Sequence, residues 1–222
     1  MDWQFFLNEI VANRSMLLHG ALITVLVAVL AIIAGTLLGI AMGVGLTYGM
    51  RPVRWLARAY IDIIRGTPVL VLILATYYVS AAVGLSLSAF QAGVLALTLF
   101  CTSHVGEIMR GSLQSLPQGQ IEAGRAIGLT FSRIFYYVLF PQALRYALPT
   151  WTTAAVEIVK ASTLLSAIGV TELLLTTQQI ISGNFLNMQF YLLAGVIYFL
   201  VDFSIEQLGR YIGRKLDVPV KR

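Results

Sequence analysis

The sequence predicts an all-α membrane protein with about five transmembrane helices, and three observations carry that prediction. Hydrophobic residues fill 58% of the 222 positions and charged residues only 11%, less than half the roughly 25% charge of ordinary soluble domains. Three long stretches hold no Asp, Glu, Lys or Arg: 36 residues from Ser15 to Met50, 40 from Gly66 to Val105 and 29 from Leu173 to Val201. Thirteen of the 15 Lys and Arg residues gather in the segments between such stretches or in the tail. A water-soluble globule is excluded, and a single membrane domain over residues 1–222 is expected. A span needs about 20 mostly apolar residues, which the uncharged stretches supply.

The first span is placed at 16–46. Trp3, Phe5 and Phe6 precede it as an interfacial belt would. Gly35, Gly39 and Gly43, after Ala31, recur every four positions and make one smooth helical stripe for close packing, within or between subunits. The second span, 58–82, is flanked by Trp55 and Tyr60 and contains Thr67-Pro68. Pro68 removes a backbone donor there, which allows either a bend lining a pathway or a simple packing kink. The third span, 89–111, follows a loop near Ser80–Ser88. The fourth, 148–174, is apolar apart from Glu157, Lys160 and Glu172, and the fifth is 189–209.

Orientation follows from the cations. Arg51, Arg54, Arg58 and Arg65 lie between spans one and two, and Arg110, Arg125, Arg133 and Arg145 lie along the connection between spans three and four. Arg210, Arg214, Lys215, Lys221 and Arg222 form the tail. The N-terminus is thus expected outside and the C-terminus in the cytoplasm. The net charge of +5 reads as a topology signal beside anionic headgroups, not as a nucleic-acid footprint.

Other chemistries find no support in the residues. Cys101 is the one cysteine and reads as a small buried side chain. His19 and His104 stand apart outside any HExxH frame, His104 reads as a satisfied interior histidine, and no metal site is expected. No Lys is followed by Ser or Thr, so no Walker A loop is present, and no GxSxG elbow appears. The acidic, aromatic N-terminus lacks the basic region of a secretory signal and is expected to stay in the mature chain. Any energised work is expected to draw on chemistry supplied by another chain.

The connection at about 112–147 carries the most information. Pro117 and Pro141 bracket a stretch able to form a short helix. Within it Glu122 and Arg125 are spaced to pair on one face, while Gly124 and Gly128 leave a face nearly bare. Such a helix suits either insertion into a groove on another protein or a partnerless place on the cytoplasmic surface.

Four segments then carry a resemblance. EAGRAIG, from Glu122 to Gly128, with Leu139-Phe140-Pro141 beyond it, resembles the EAA loop of ABC importer permeases, with Gly124 where Ala is usual. RGTPVLV (65–71), GEIMRGSLQSLPQGQIEAG (106–124) and KASTLLSAIGVTEL (160–173) are similar to stretches of the polar amino-acid subgroup. In the last, Ala161 replaces an acidic residue and Ser162-Thr163 inverts the usual order. The resemblance covers about residues 20–210. It implies a type I ABC importer permease fold in a bacterial cytoplasmic (inner) membrane, non-catalytic in itself. It further implies a coupling helix docked on a separate ATPase dimer, which would bind ATP and Mg; this chain would hold no cofactor. A second permease subunit, identical or sister, and an extracytoplasmic solute-binding protein would complete the machine. Glu122, Ala123, Gly124, Ile127, Gly128 and Leu129 would make the coupling contacts, with Glu122 pinning the helix.

Ionisable groups at membrane depth are costly, roughly 2.5–3.5 kcal/mol each, and mark candidate pathway positions. Glu157 and Lys160 are spaced to face each other, as a cradle for an amino acid or as a self-neutralising structural pair. Glu107 with Arg110, and Asp62 with Arg65, repeat that spacing at the inner mouth. Arg65, Thr67, Glu107, Glu157, Lys160 and Thr163 are therefore the candidate pathway residues. Glu172 is expected at the outer mouth and Asp202 at the inner interface near Arg210. The alternative function is a stand-alone secondary transporter or channel for small polar solutes, though five spans do not halve into an inverted repeat. An intramembrane enzyme would need a nucleophile–base set or metal ligands, and neither is visible.

Overall fold

A computed structural model describes residues 3–216, and these are almost wholly helical. The order is α1 (Trp3–Tyr48), α2 (Arg51–Gly66), α3 (Val69–Ala82), α4 (Ala89–Gln114), α5 (Gly119–Ala126), α6 (Phe131–Ile134), a π-helical turn (Phe135–Leu139), α7 (Phe140–Ser162), a 3₁₀ stretch (Thr163–Ile168), α8 (Leu173–Asn184) and α9 (Asn187–Leu216).

Three helices, α1, α4 and α9, are individually long and apolar enough to cross a membrane, and two bent helix pairs bring the number of spans to as many as five. The expected second span is corrected by the first pair. Instead of one helix over 58–82, α2 and α3 meet at 109°. Thr67 is extended at φ −98°, ψ 130°, as steric pressure from a following proline favours, and Pro68 offers no N–H to continue the ladder. On α2, Ala57, Ile61 and Ile64 are buried while Arg51, Arg54 and Arg65 are exposed, the pattern of an interfacial amphipathic helix. The expected fourth span is likewise broken. The run through Ile168 meets α8 at 52°, turning at Gly169 in the left-handed region with φ +83°.

The centre is a seam between α1 and α4. Gly35, Gly39 and Gly43 are all buried, and a Cβ added at Gly39 would stand 2.6 Å from Val105 Cβ. The glycine stripe therefore serves packing inside the chain. Trp151 on α7 donates its indole N–H to Thr36 Oγ1 at 2.9 Å, tying α7 to the same helix. Val27, Leu97, Phe100, Cys101, Ile158 and Leu165 make the central core. A second core joins Leu17 to Leu173, Ile180 and Phe190, and a third sits under α5 and α6. The outward side of α1 stays apolar, with Leu18, Leu22, Ile33 and Leu37 exposed. A helix that is apolar on all sides belongs in a core or a membrane, and the burial pattern marks which of its sides points away from the chain's own core.

Glu172 is corrected from the outer mouth to the interior. It is fully buried, and its carboxylate caps α8 by accepting the Leu174 and Leu175 N–H groups at 2.9 and 2.8 Å. The Tyr198 hydroxyl donates to the same side chain, so this buried polar group is met by three donors. The adjoining Leu173 N–H donates to Thr24 Oγ1 on α1 at 3.1 Å.

Candidate functional site

Two regions hold the residues singled out in the sequence. The first is α5. It begins two residues after Pro117 and closes with the reciprocal bonds of a Schellman cap. Leu129 N–H donates to the Gly124 carbonyl and Gly128 N–H to the Arg125 carbonyl, each at 3.0 Å, with Gly128 at φ +79°. That dihedral is why a glycine stands there. Nothing lies within 4 Å of where its Cβ would be.

Gly124 does the opposite job. It is the buried residue of α5, and a Cβ on it would stand 2.6 Å from Ile134 Cγ1. The bare face inferred from the two glycines thus divides: Gly124 packs inward on α6 and Gly128 serves the turn. Beneath them Ile134 and Leu139 pack with Met109, Leu113 and Leu116, and Leu129 is half-buried against this group. Tyr48 at the end of α1 stacks edge-on against Phe131 and Phe135, with centroids 5.1 and 5.8 Å apart. Glu122, Ala123, Arg125, Ala126 and Ile127 all remain exposed, Ile127 at 76%. The expected Glu122–Arg125 pair does not form, and among the described residues the Glu122 carboxylate has no side-chain partner that would pin the helix.

The second region follows α7. Thr150, Thr153, Glu157 and Lys160 recur at three- and four-residue spacing and are exposed, while Ala154, Ala155, Ile158 and Val159 are buried. A polar stripe is thus presented outward from a helix whose opposite side is core. Two clefts flank it. One, of about 250 Å³, lies between α7, α4 and the end of α2 and brings together Arg65, His104, Glu107, Thr153 and Glu157. The other, of about 670 Å³, lies between α7 and α9 and shares Thr153 and Glu157 while adding Lys160, Glu206 and Arg210.

The charges pair differently from the sequence spacing. Glu107 does bind Arg110, whose Nε donates at 3.0 Å. Arg58 of α2 also reaches Glu107 at 3.4 Å and Asp62 at 3.8 Å, which displaces the expected Asp62–Arg65 pair. Glu157 and Lys160 do not pair with each other. Lys160 Nζ instead lies 3.9 Å from Asp202 Oδ2 on α9, and Asp202 is not beside Arg210, which pairs with Glu206 at 3.1 Å. Asp202 Oδ1 is buried without a partner. Two charges in the smaller cleft, Arg65 and Glu157, therefore make no ion pair among the described residues. Thr67 and Thr163 line neither cleft: their hydroxyls donate to the Ile63 and Lys160 carbonyls at 2.8 and 2.7 Å. His104 joins the cleft although its spacing pointed to a plain interior residue, and Asp202 emerges as the partner of Lys160. Both arise from packing between helices distant in sequence.

Known proteins resemble this chain in sequence and fold. Residues 32–218 match the family described as binding-protein-dependent transport system inner membrane component. The chain is 34% identical over 169 residues to the L-cystine transport system permease protein of Bacillus subtilis, covering 76% of this chain and 72% of the relative. It is 30% identical over 196 residues to the arginine ABC transporter permease protein of Escherichia coli, covering 78% and 81%. A solved structure described as an amino acid ABC transporter with histidines superposes at a TM-score of 0.85 and 30% identity, covering 93% of this chain and 96% of that one. An inward-facing methionine ABC transporter at 24% identity shares the fold, with a TM-score of 0.77. The fold is that of type I ABC importer permeases, and this helical membrane protein belongs to the family of binding-protein-dependent transport system inner membrane components.

Proposed function

We propose that the chain is a permease subunit of an ATP-driven amino-acid importer, forming half of the translocation pathway and coupling it to a separate ATPase by alternating access. The observation that carries this reading is the two-sided character of α5. Its Gly124 side is interlocked with Ile134 of this chain, while Glu122, Ala123 and Ile127 stand free on the other. A push on the free face passes through α6 and the π-helical turn into α7, which bears the polar stripe. An ATPase dimer closing on ATP and Mg supplies such a push, and rigid-body rocking of the permeases then switches access.

The stripe supports a second permease subunit, identical or sister. Exposed Thr153, Glu157 and Lys160 are poor neighbours for lipid, so they face a partner or an aqueous path. The cargo class is supported by Arg65 and Glu157 of the smaller cleft, which make no ion pair among the described residues and offer a cation for an α-carboxylate and an anion for an α-ammonium. The cystine and arginine permeases among the relatives point the same way. The clustering of cations supports a bacterial cytoplasmic (inner) membrane setting with the N-terminus outside and the C-terminus in the cytoplasm. An extracytoplasmic binding protein then delivers solute at the α8 end.

Ala123→Arg and Ile127→Asp test the coupling surface, because both positions are exposed and neither change disturbs the core. Each is expected to insert normally, to lose co-purification of the ATPase and to lower uptake at least tenfold. Full ATPase recovery and uptake with both variants would remove α5 from the coupling role.

A further inference from the structure

His104 lies on α4, one turn before Glu107, and lines the smaller cleft. Its ring is half-buried and rests on Phe100, with centroids 4.2 Å apart. Nδ1 lies 3.0 Å from the Phe100 carbonyl oxygen and 3.3 Å from Ser103 Oγ. A carbonyl only accepts, and the Ser103 hydroxyl already donates to that same carbonyl at 2.7 Å. The hydrogen-bond network therefore assigns the hydrogen to Nδ1. Of the two neutral tautomers, this network selects the one whose lone pair is on Nε2, which has no partner among the described residues.

We propose that His104 is a specificity-determining residue of this cleft, its Nε2 accepting a hydrogen bond from an N–H donor on the solute's side chain. The inference rests on the cleft reading given above and narrows the solutes to amino acids ending in an amide, imidazole or guanidinium. Glu107 is held by Arg58 and Arg110. That leaves Arg65 for the carboxylate, Glu157 for the ammonium and the Nε2 acceptor for the third group. An apolar side chain strands that acceptor without water or donor, which is how a polar site rejects an analogue lacking the donor.

The test is equilibrium binding of L-arginine, L-glutamine and L-norleucine to the assembled permease–ATPase complex in nanodiscs, without nucleotide and without the solute-binding protein. His104→Asn keeps an amide N–H near the Nδ1 position for the Phe100 carbonyl and removes the acceptor at Nε2. His104→Gln places an amide oxygen near the Nε2 position and gives up the Phe100 bond. His104→Asn is expected to weaken arginine and glutamine binding about tenfold or more, with norleucine binding no weaker than in the unaltered complex, while His104→Gln keeps most of the affinity. A histidine that only holds the helix gives the reverse order, and that order overturns the proposal. Arg65→Ala and Glu157→Gln separate the two levels of the argument. If they weaken binding and His104→Asn does not, the histidine assignment alone falls. If all of them leave binding unchanged, or the unaltered complex binds neither arginine nor glutamine, the cleft reading falls with it.

Discussion

At the scale of single residues, Gly124 shows how a position suggested for an outside contact is first spent inside the chain. An added Cβ would meet Ile134 Cγ1 at 2.6 Å and Cδ1 at 2.8 Å. Gly124→Ala is expected to loosen α5 from α6 by about 1–3 kcal/mol through overpacking, although alanine favours the helix itself by up to about 1 kcal/mol. Ile134→Ala in the same chain removes both blocking atoms and should recover the interlock. Limited proteolysis of the 112–130 connection reads this out as faster cleavage in the single variant and slower cleavage in the pair. Equal protection in Gly124→Ala and the unaltered protein would discard the packing account. The two glycines looked equivalent in sequence because spacing records only that they share a side of a helix. What separates them is a left-handed dihedral at Gly128 and a neighbour, Ile134, supplied by the next helix. The acidic and basic residues tell the same story. Glu157 and Lys160 satisfied the spacing of a pair, yet Asp202 on α9 took Lys160, and spacing along one helix is blind to the helix beside it.

At the scale of elements, uncharged length located α1, α4 and α9, because each spanning helix must be apolar over most of its length. The breaks were harder to read. Pro68 was visible, but not that α2 and α3 turn by 109°. The direction of a bend is set by what each half buries, here Ala57, Ile61 and Ile64 on one side and Leu72 and Ile73 on the other. The second break left a fainter trace. Glu172 looked like a lone carboxylate at a helix end, and its partners, two backbone N–H groups of α8 and Tyr198 of α9, exist only after the chain has turned at Gly169. If proline sets the first bend, Pro68→Ala restores the missing donor and frees Thr67 to become helical. Spin labels at Arg54 and Val79 are then expected to move apart as α2 and α3 straighten, with uptake falling at least several-fold. An unchanged separation would assign the bend to tertiary packing alone.

At the scale of the whole molecule, the fold sorts its charges between two ends. Tyr48 of α1 packs with Phe131 and Phe135 beside α5, so the start of α2, with Arg51 and Arg54, shares that end with Arg125 and Arg133. At the other end Phe6 of α1 packs on Phe190 of α9 at 5.4 Å, and Asn184 of α8 donates to Glu9 at 3.0 Å. Arg14 is the cation nearest that end in sequence. The helix between them, α1, has 46 residues and measures about 69 Å at 1.5 Å per residue. That is more than twice a hydrocarbon core of roughly 30 Å, so both of its ends are expected to stand clear of lipid. With positive charge retained in the cytoplasm, α5 is expected to face inward and α8 outward. Single cysteines test this in a Cys101→Ala background, where the buried native thiol no longer competes. Arg125→Cys on α5 is expected to react with a membrane-impermeant maleimide in inverted vesicles, and Gln178→Cys on α8 in right-side-out vesicles. Leu37→Cys, on the apolar side of α1, should react in neither. Labelling of Arg125→Cys from the outside, or of both polar positions from one side, would be incompatible with an inward α5. It would leave a cytoplasmic ATPase no surface on which to act, however well the rest of the fold agrees.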